Sequence, residues 1–169
     1  MPLISDTAVF QKRLEALPLA SYGAGETVFT EGTRTGRLLI LKKGTVAIIK
    51  GGTEIAKVAE PGAVFGELSA LLDQPHTADV RTLETSEFLV ADAATLLVKD
   101  PIALLYVTTL LARRLDSANR ALIELKNQLQ SGQPPSVITE TAEKIEELLC
   151  GEFGRIDLVA FDRVQTRPH

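Results

Sequence analysis

The chain has 169 residues, 45% of them hydrophobic and 24% charged, with 22 acidic against 18 basic side chains and a formal net charge of −4. That length suits one domain with an appendage, or two very small domains, and it is enough to bury a core of its own. The acidic balance excludes a global electrostatic footprint for nucleic acid, and a single cysteine, Cys150, excludes an internal disulfide and fits a reducing compartment.

The N-terminus, Met1-Pro2-Leu3-Ile4-Ser5-Asp6, has no positive start followed by an apolar run, so no secretory signal is expected. Val9, Phe10, Leu14 and Leu17 recur at helical spacing and predict a short helix that Pro18 ends. From about Leu19 to Asp92 the chain is dense in short β-type runs punctuated by glycine. Strands are expected over Glu26–Phe29, Arg37–Leu41, Val46–Lys50, Glu54–Ala59, Ala63–Phe65, Ala78–Leu83 and Glu87–Ala91. Gly51-Gly52 between two β-branched runs is a two-residue hairpin signal, and seven or eight strands at this spacing imply a sandwich or barrel. Only Leu68–Leu72, a short run of helix formers, interrupts them.

After Asp92 the periodicity changes to that of helices. Asp92 can cap a short helix through Leu97, and Pro101 can open a longer one in its first turn. Its uncharged apolar stretch, Pro101–Ala112, is twelve residues long and too short to span a bilayer. A soluble, cytoplasmic protein is therefore expected. In the long helix Leu111, Leu115, Ala118, Leu122, Leu125 and Leu129 step by 4, 3, 4, 3 and 4, an a/d seam flanked by Arg113, Arg114, Arg120, Glu124 and Lys126. Such a seam points to a homodimer; the plainer alternative is one amphipathic helix packed on its own β domain.

Three segments follow from this: 1–130 as the main domain with its dimerisation helix, 131–137 as a Pro/Gly/Ser-containing linker, and 138–169 as a small α+β tail. In the tail, Thr139–Leu149 has helical periodicity and Arg155–Phe161 could be a strand. From Ser131 onward four basic residues face seven acidic ones, a balance that would repel phosphate, so nucleic acid is not an expected partner. His76, His169 and Cys150 have no metal-ligand spacing, Gly23-x-Gly25 lacks the rest of a dinucleotide fingerprint, and no nucleophile motif is present. No enzymatic activity and no metal or cofactor are expected.

The informative run is Phe65-Gly66-Glu67-Leu68-Ser69-Ala70-Leu71-Leu72, then Asp73-Gln74-Pro75-His76-Thr77-Ala78-Asp79-Val80. A strand ends at a glycine and a one-to-two-turn helix begins at once. Unpaired N–H groups of a first helical turn attract anions, and Gly66, lacking a Cβ, lets a ligand approach the backbone. Glu67 can accept hydrogen bonds from a pair of hydroxyls, and Thr77 can donate to a phosphate oxygen. Together they suit a small anionic, hydroxyl-bearing ligand. The plain alternative is a strand–helix–strand corner with Glu67 serving the helix dipole.

This run resembles the phosphate-binding cassette of the cyclic-nucleotide-binding domain family, found in catabolite activator protein-type regulators, protein kinase A regulatory subunits and cyclic-nucleotide-gated channels. Gly25-Glu26-x-Val28-Phe29-x-x-Gly32 and Leu38–Gly44 resemble the early strands and glycine turns of that family, and the resemblance extends over roughly residues 5–130. It implies a mainly β fold: an eight-stranded β-roll, or jelly roll, with a short N-terminal helix, a short cassette helix and two C-terminal helices, the last long. It also implies a cyclic nucleotide as ligand, with cyclic AMP favoured. Glu67 would bond the ribose 2′-hydroxyl, and the amides near Gly66 and Leu68 with the Thr77 hydroxyl would hold the cyclic phosphate. Ser69, His76 and Ala78 complete the expected ligand site, and the long helix would cap the base, with Asp116, Ser117 and Asn119 possible base contacts.

The sequence departs from the family pattern at two places. His76 stands where the cassette carries the arginine that pairs the phosphate, and arginine offers a permanent charge and two parallel hydrogen bonds that neutral histidine does not. Either His76 meets the phosphate as an imidazolium, or it is a surface or core-edge histidine of a decayed pocket. Arg81, further along the same strand, falls on the opposite face from His76 and is no evident replacement. The second departure is the acidic tail, whose expected helix and strand do not make the pair of helices joined by a short turn that the transcription regulators carry. The reading is a sensory module that binds a cyclic nucleotide or related phosphate ligand and passes the change to a protein effector. Its alternative is a degenerate domain that binds no nucleotide and acts as a dimerisation or scaffold module.

Overall fold

A computed structural model describes residues 12–132, 134 and 136–142. Eight strands form two antiparallel four-stranded sheets. They are β1 (Leu19–Tyr22), β2 (Thr27–Phe29), β3 (Arg37–Lys43), β4 (Val46–Lys50), β5 (Thr53–Val58), β6 (Val64–Phe65), β7 (Asp79–Thr82) and β8 (Ser86–Asp92). One sheet has the order β1-β8-β3-β6 and the other β2-β7-β4-β5, so neighbours in sequence often lie in opposite sheets, as a jelly roll requires. Three helices are α1 (Glu67–Leu71), α2 (Ala93–Lys99) and α3 (Pro101–Gln130); residues 12–15 and 136–142 are also helical.

Strand β3 explains how the layers stack. Its run Leu38-Leu39-Ile40-Leu41 is buried on both faces, so it reads as continuous apolar sequence rather than as an alternation. Leu38 and Ile40 point to the helices, where they meet Leu97, Tyr106 and Leu110. Leu39 and Leu41 point between the sheets, against Val46, Phe65 and Phe88. The two-fold period of the strand thus joins two hydrophobic clusters into one three-layered core.

Local signals account for most boundaries. Gly51 and Gly52 both adopt positive φ, 56° and 80°, in the two-residue connection that pairs Lys50 with Thr53. Asp92 caps α2 by accepting a hydrogen bond from the Thr95 amide at 2.7 Å. Asp100 does the same for α3 through Ile102 and Ala103, with Pro101 in the first turn, and it also pairs with Arg13 at 2.6 Å. The two helices turn through 104° at this residue, and no single helix among those described is long and apolar enough to cross a membrane. β1 is the strand that hydrophobic pattern did not pick out. Its residues are exposed or half-buried throughout, and it is held as an edge by backbone pairing with β8.

The a/d seam does not behave uniformly. Ala103, Tyr106, Val107 and Leu110 face the β body, and Ala118 and Ala121 continue that buried stripe. Leu115, Leu122 and Leu129 are more than half exposed. Chain 136–142 is already helical from Ser136, inside the stretch read as linker; most of the expected tail helix and all of the Arg155–Phe161 strand lie outside the described residues, as do Val9 and Phe10.

Candidate functional site

Strand β6 delivers Phe65 into the inter-sheet core, and the chain must then reverse within one residue to start α1. Gly66 does this with φ 89°. A Cβ there would lie 2.5 Å from the Arg37 carbonyl oxygen and 3.1 Å from the Phe29 ring. The glycine is therefore required by its own neighbours before any ligand is considered, a stronger reason than the one read from sequence. Ser69 secures the far end of the corner: its hydroxyl donates to the Gln74 carbonyl at 2.6 Å, and the Gln74 amide returns to the Ser69 carbonyl. Arg34 braces the same turn through Asp73 at 2.7 Å.

All seven residues expected at the ligand site, Gly66, Glu67, Leu68, Ser69, His76, Thr77 and Ala78, line one cleft. Its floor is apolar, made by Phe29, Ile48, Val64 and Val80, and it holds about 580 Å³ of atom-free space, its open mouth included. Thr77 and Leu68 are exposed at its rim, whereas Glu67 and His76 are buried, each about 6% exposed.

His76 does not reach into the cleft as a free imidazolium. Its Nε2 lies 2.9 Å from the Thr35 hydroxyl, and its ring stacks on Phe29 with centroids 4.1 Å apart and planes 22° from parallel. Its backbone is also fixed, the amide donating to Thr33 and the carbonyl accepting from Gly32. Burial pushes its pKa below the ordinary 6.5, which favours the neutral ring. Of the two readings of His76, this geometry favours the core-edge residue.

The residue that sequence reading missed is Arg114. It comes from α3, lines the same cleft, and its Nη1 donates to Glu67 Oε1 at 2.6 Å. The two side chains are 12% and 8% exposed, so the ion pair is largely out of water. Arg114 Nη2 also approaches the Val64 carbonyl at 3.5 Å. A signal was available: 103, 107, 110 and 114 step by 4, 3 and 4, which places this arginine on the inward stripe of α3 rather than on the flank of the seam. Asp116, Ser117 and Asn119 do not line the cleft; Asp116 pairs with Arg120 on the exposed side at 2.8 Å. Arg81 is exposed on β7 and is likewise absent from the cleft. Among the described residues no cluster of three His, Cys, Asp or Glu side chains could hold a metal.

Residues 19–98 match the family model of the cyclic nucleotide-binding domain. This stretch holds all eight strands and every expected ligand-site residue. Residues 19–98 belong to the cyclic nucleotide-binding domain family. An uncharacterized ABC transporter ATP-binding protein of Mycobacterium tuberculosis is 36% identical over 62 residues, 34% of this chain, and the match spans only 19% of that relative's length. A cyclic nucleotide-binding domain from Methylobacillus flagellatus KT superposes with a TM-score of 0.57 at 26% identity, covering 73% of this chain and 78% of the other. The catabolite activator protein of Thermus thermophilus gives 0.58 at 22% identity, covering 86% and 83%, a likeness of fold.

Proposed function

We propose that this chain is a regulatory module that binds a cyclic nucleotide, with cyclic AMP favoured, in the cleft at α1 and passes the binding on through α3. The observation that carries the reading is the buried Glu67–Arg114 pair, because it ties the candidate ribose-binding carboxylate to the long helix. A ligand whose hydroxyls donate to Glu67 would share that carboxylate with Arg114 and so shift the balance between arrangements of α3. In this reading the amides near Gly66 and Leu68 and the Thr77 hydroxyl hold the phosphate. The module is a non-enzymatic, cytoplasmic homodimer that answers to a protein effector and not to nucleic acid. Support for the dimer is the exposed Leu115, Leu122 and Leu129 stripe, which repeats every seven residues along α3.

A second reading has its own support. Position 76 lacks a permanent charge, and the histidine there is committed to Thr35 and Phe29. A family domain without that cation could have lost its nucleotide and kept a scaffold role. Calorimetric titration with cyclic AMP and cyclic GMP at pH 7.5 and pH 6.0 separates the two. Micromolar binding, no tighter at pH 6.0, is expected of the sensor; absence of heat at both pH values would leave the scaffold. Sedimentation at about 50 µM should give a dimer that Leu115→Asp with Leu122→Asp converts to a monomer, and an unchanged mass would refute the seam.

A further inference from the structure

A cyclic nucleotide brings a negative charge into a cleft whose floor is Phe29, Ile48, Val64 and Val80, and a charge so placed is costly unless it is paired. The side chains expected to meet it cannot pair it. Thr77 is a neutral hydroxyl, and the His76 ring is turned to Thr35 and stacked on Phe29, where burial disfavours its charged form. Among the residues lining the cleft, Arg114 is the one arginine or lysine and Glu67 the one acid.

We infer that Arg114, carried by α3, is the residue that recognises the anionic group of the ligand in this protein, in the role that position 76 no longer fills. The inference rests on the cleft being the nucleotide site, as proposed above. The geometry prepares Arg114 for this. The ion pair with Glu67 fixes the guanidinium inside the cleft, so little ordering of a long side chain remains for the ligand to bring about. A guanidinium has five N–H donors in a planar fork and can serve a carboxylate and a phosphate together, or pass from one to the other. A ligand with neighbouring hydroxyl and phosphate groups can therefore satisfy both halves of the pair at once, its hydroxyls donating to Glu67 and its phosphate accepting from Arg114. A neutral nucleoside can satisfy only the first. Discrimination for the charged ligand becomes a property of the helix and not of the strands, so recognising the phosphate and holding α3 in place are one event.

The test compares cyclic AMP with adenosine as a neutral probe, by calorimetry on the full chain. In the unaltered protein cyclic AMP is expected to bind more tightly than adenosine. Arg114→Gln should weaken cyclic AMP by about 10–100-fold, the range of a hydrogen bond to a charged group, while adenosine changes by less than about threefold. Arg114→Lys keeps the charge without the fork and should fall between the two, which retains a folded readout if the glutamine variant proves unstable. His76→Arg added to Arg114→Gln should restore part of the preference. Equal losses for both probes, or a preference that is the same with Arg, Lys and Gln at position 114, would overturn the inference and leave the proposed function standing. If the unaltered protein binds neither probe, the proposed function and this inference both fall.

Discussion

The buried ion pair makes a quantitative demand on stability that can be tested with no ligand. Glu67→Gln keeps the shape of the side chain and removes its charge, leaving the Arg114 guanidinium, 12% exposed, without its carboxylate. Two unit charges about 4 Å apart at an effective dielectric constant of about 20 attract by about 4 kcal/mol. Breaking one partner of a buried pair costs about 3–5 kcal/mol, because the remaining charge stays desolvated. Arg114→Met should cost a similar amount by stranding Glu67. Removing both charges together should recover most of the loss, since an apolar pair of similar volume is often as stable as the ion pair. Urea denaturation of the four proteins at pH 7.5 gives the cycle directly, and each single variant should also lower Tm on the order of 10 °C. A coupling energy above about 2 kcal/mol is expected. Single variants that each lose less than about 1 kcal/mol, with no coupling, would mean that α3 is not docked on the cleft in solution. The link from the site to the helix would then fail with it.

Two further outcomes follow from the corner around Gly66. Because burial lowers the His76 pKa below 6.5, the unfolded chain binds the proton more readily than the folded one. Stability should therefore hold above pH 6.5 and fall as the pH drops from 6.5 toward the lower folded value; His76→Gln should flatten that slope in urea titrations, and an identical slope would place its origin elsewhere. Gly66→Ala places a methyl group 2.5 Å from the Arg37 carbonyl at φ 89°, so a loss of about 2–4 kcal/mol is expected in thermal denaturation, and a loss under about 0.5 kcal/mol would contradict the packing described.

The expected strands, the Gly51-Gly52 hairpin, the Asp92 cap and the Pro101 start were legible because each depends on residues within a few positions of one another. The α1 corner was legible for the same reason: Phe65-Gly66-Glu67 holds its turn and its carboxylate side by side, and the seven expected site residues line one cleft. β1 was not legible, since its exposed edge carries no buried alternation and pairing with β8, some seventy residues away, defines it. The a/d spacing on α3 forms a single feature in sequence, whereas the structure divides the helix into a face on the β body and an exposed stripe. Sequence alone allows two roles for His76. Only the approach of Thr35 and Phe29, from distant segments, gave its ring a buried, neutral environment. Arg114 shows the same limit most plainly. Forty-seven residues separate it from Glu67, and sequence spacing alone does not reveal that an inward-facing arginine will meet a particular acid. Local backbone chemistry determined the elements and the shape of the corner; the charge balance of the cleft was decided by which helix face the two sheets leave room to dock, because burial and pairing of charges depend on three-dimensional neighbours.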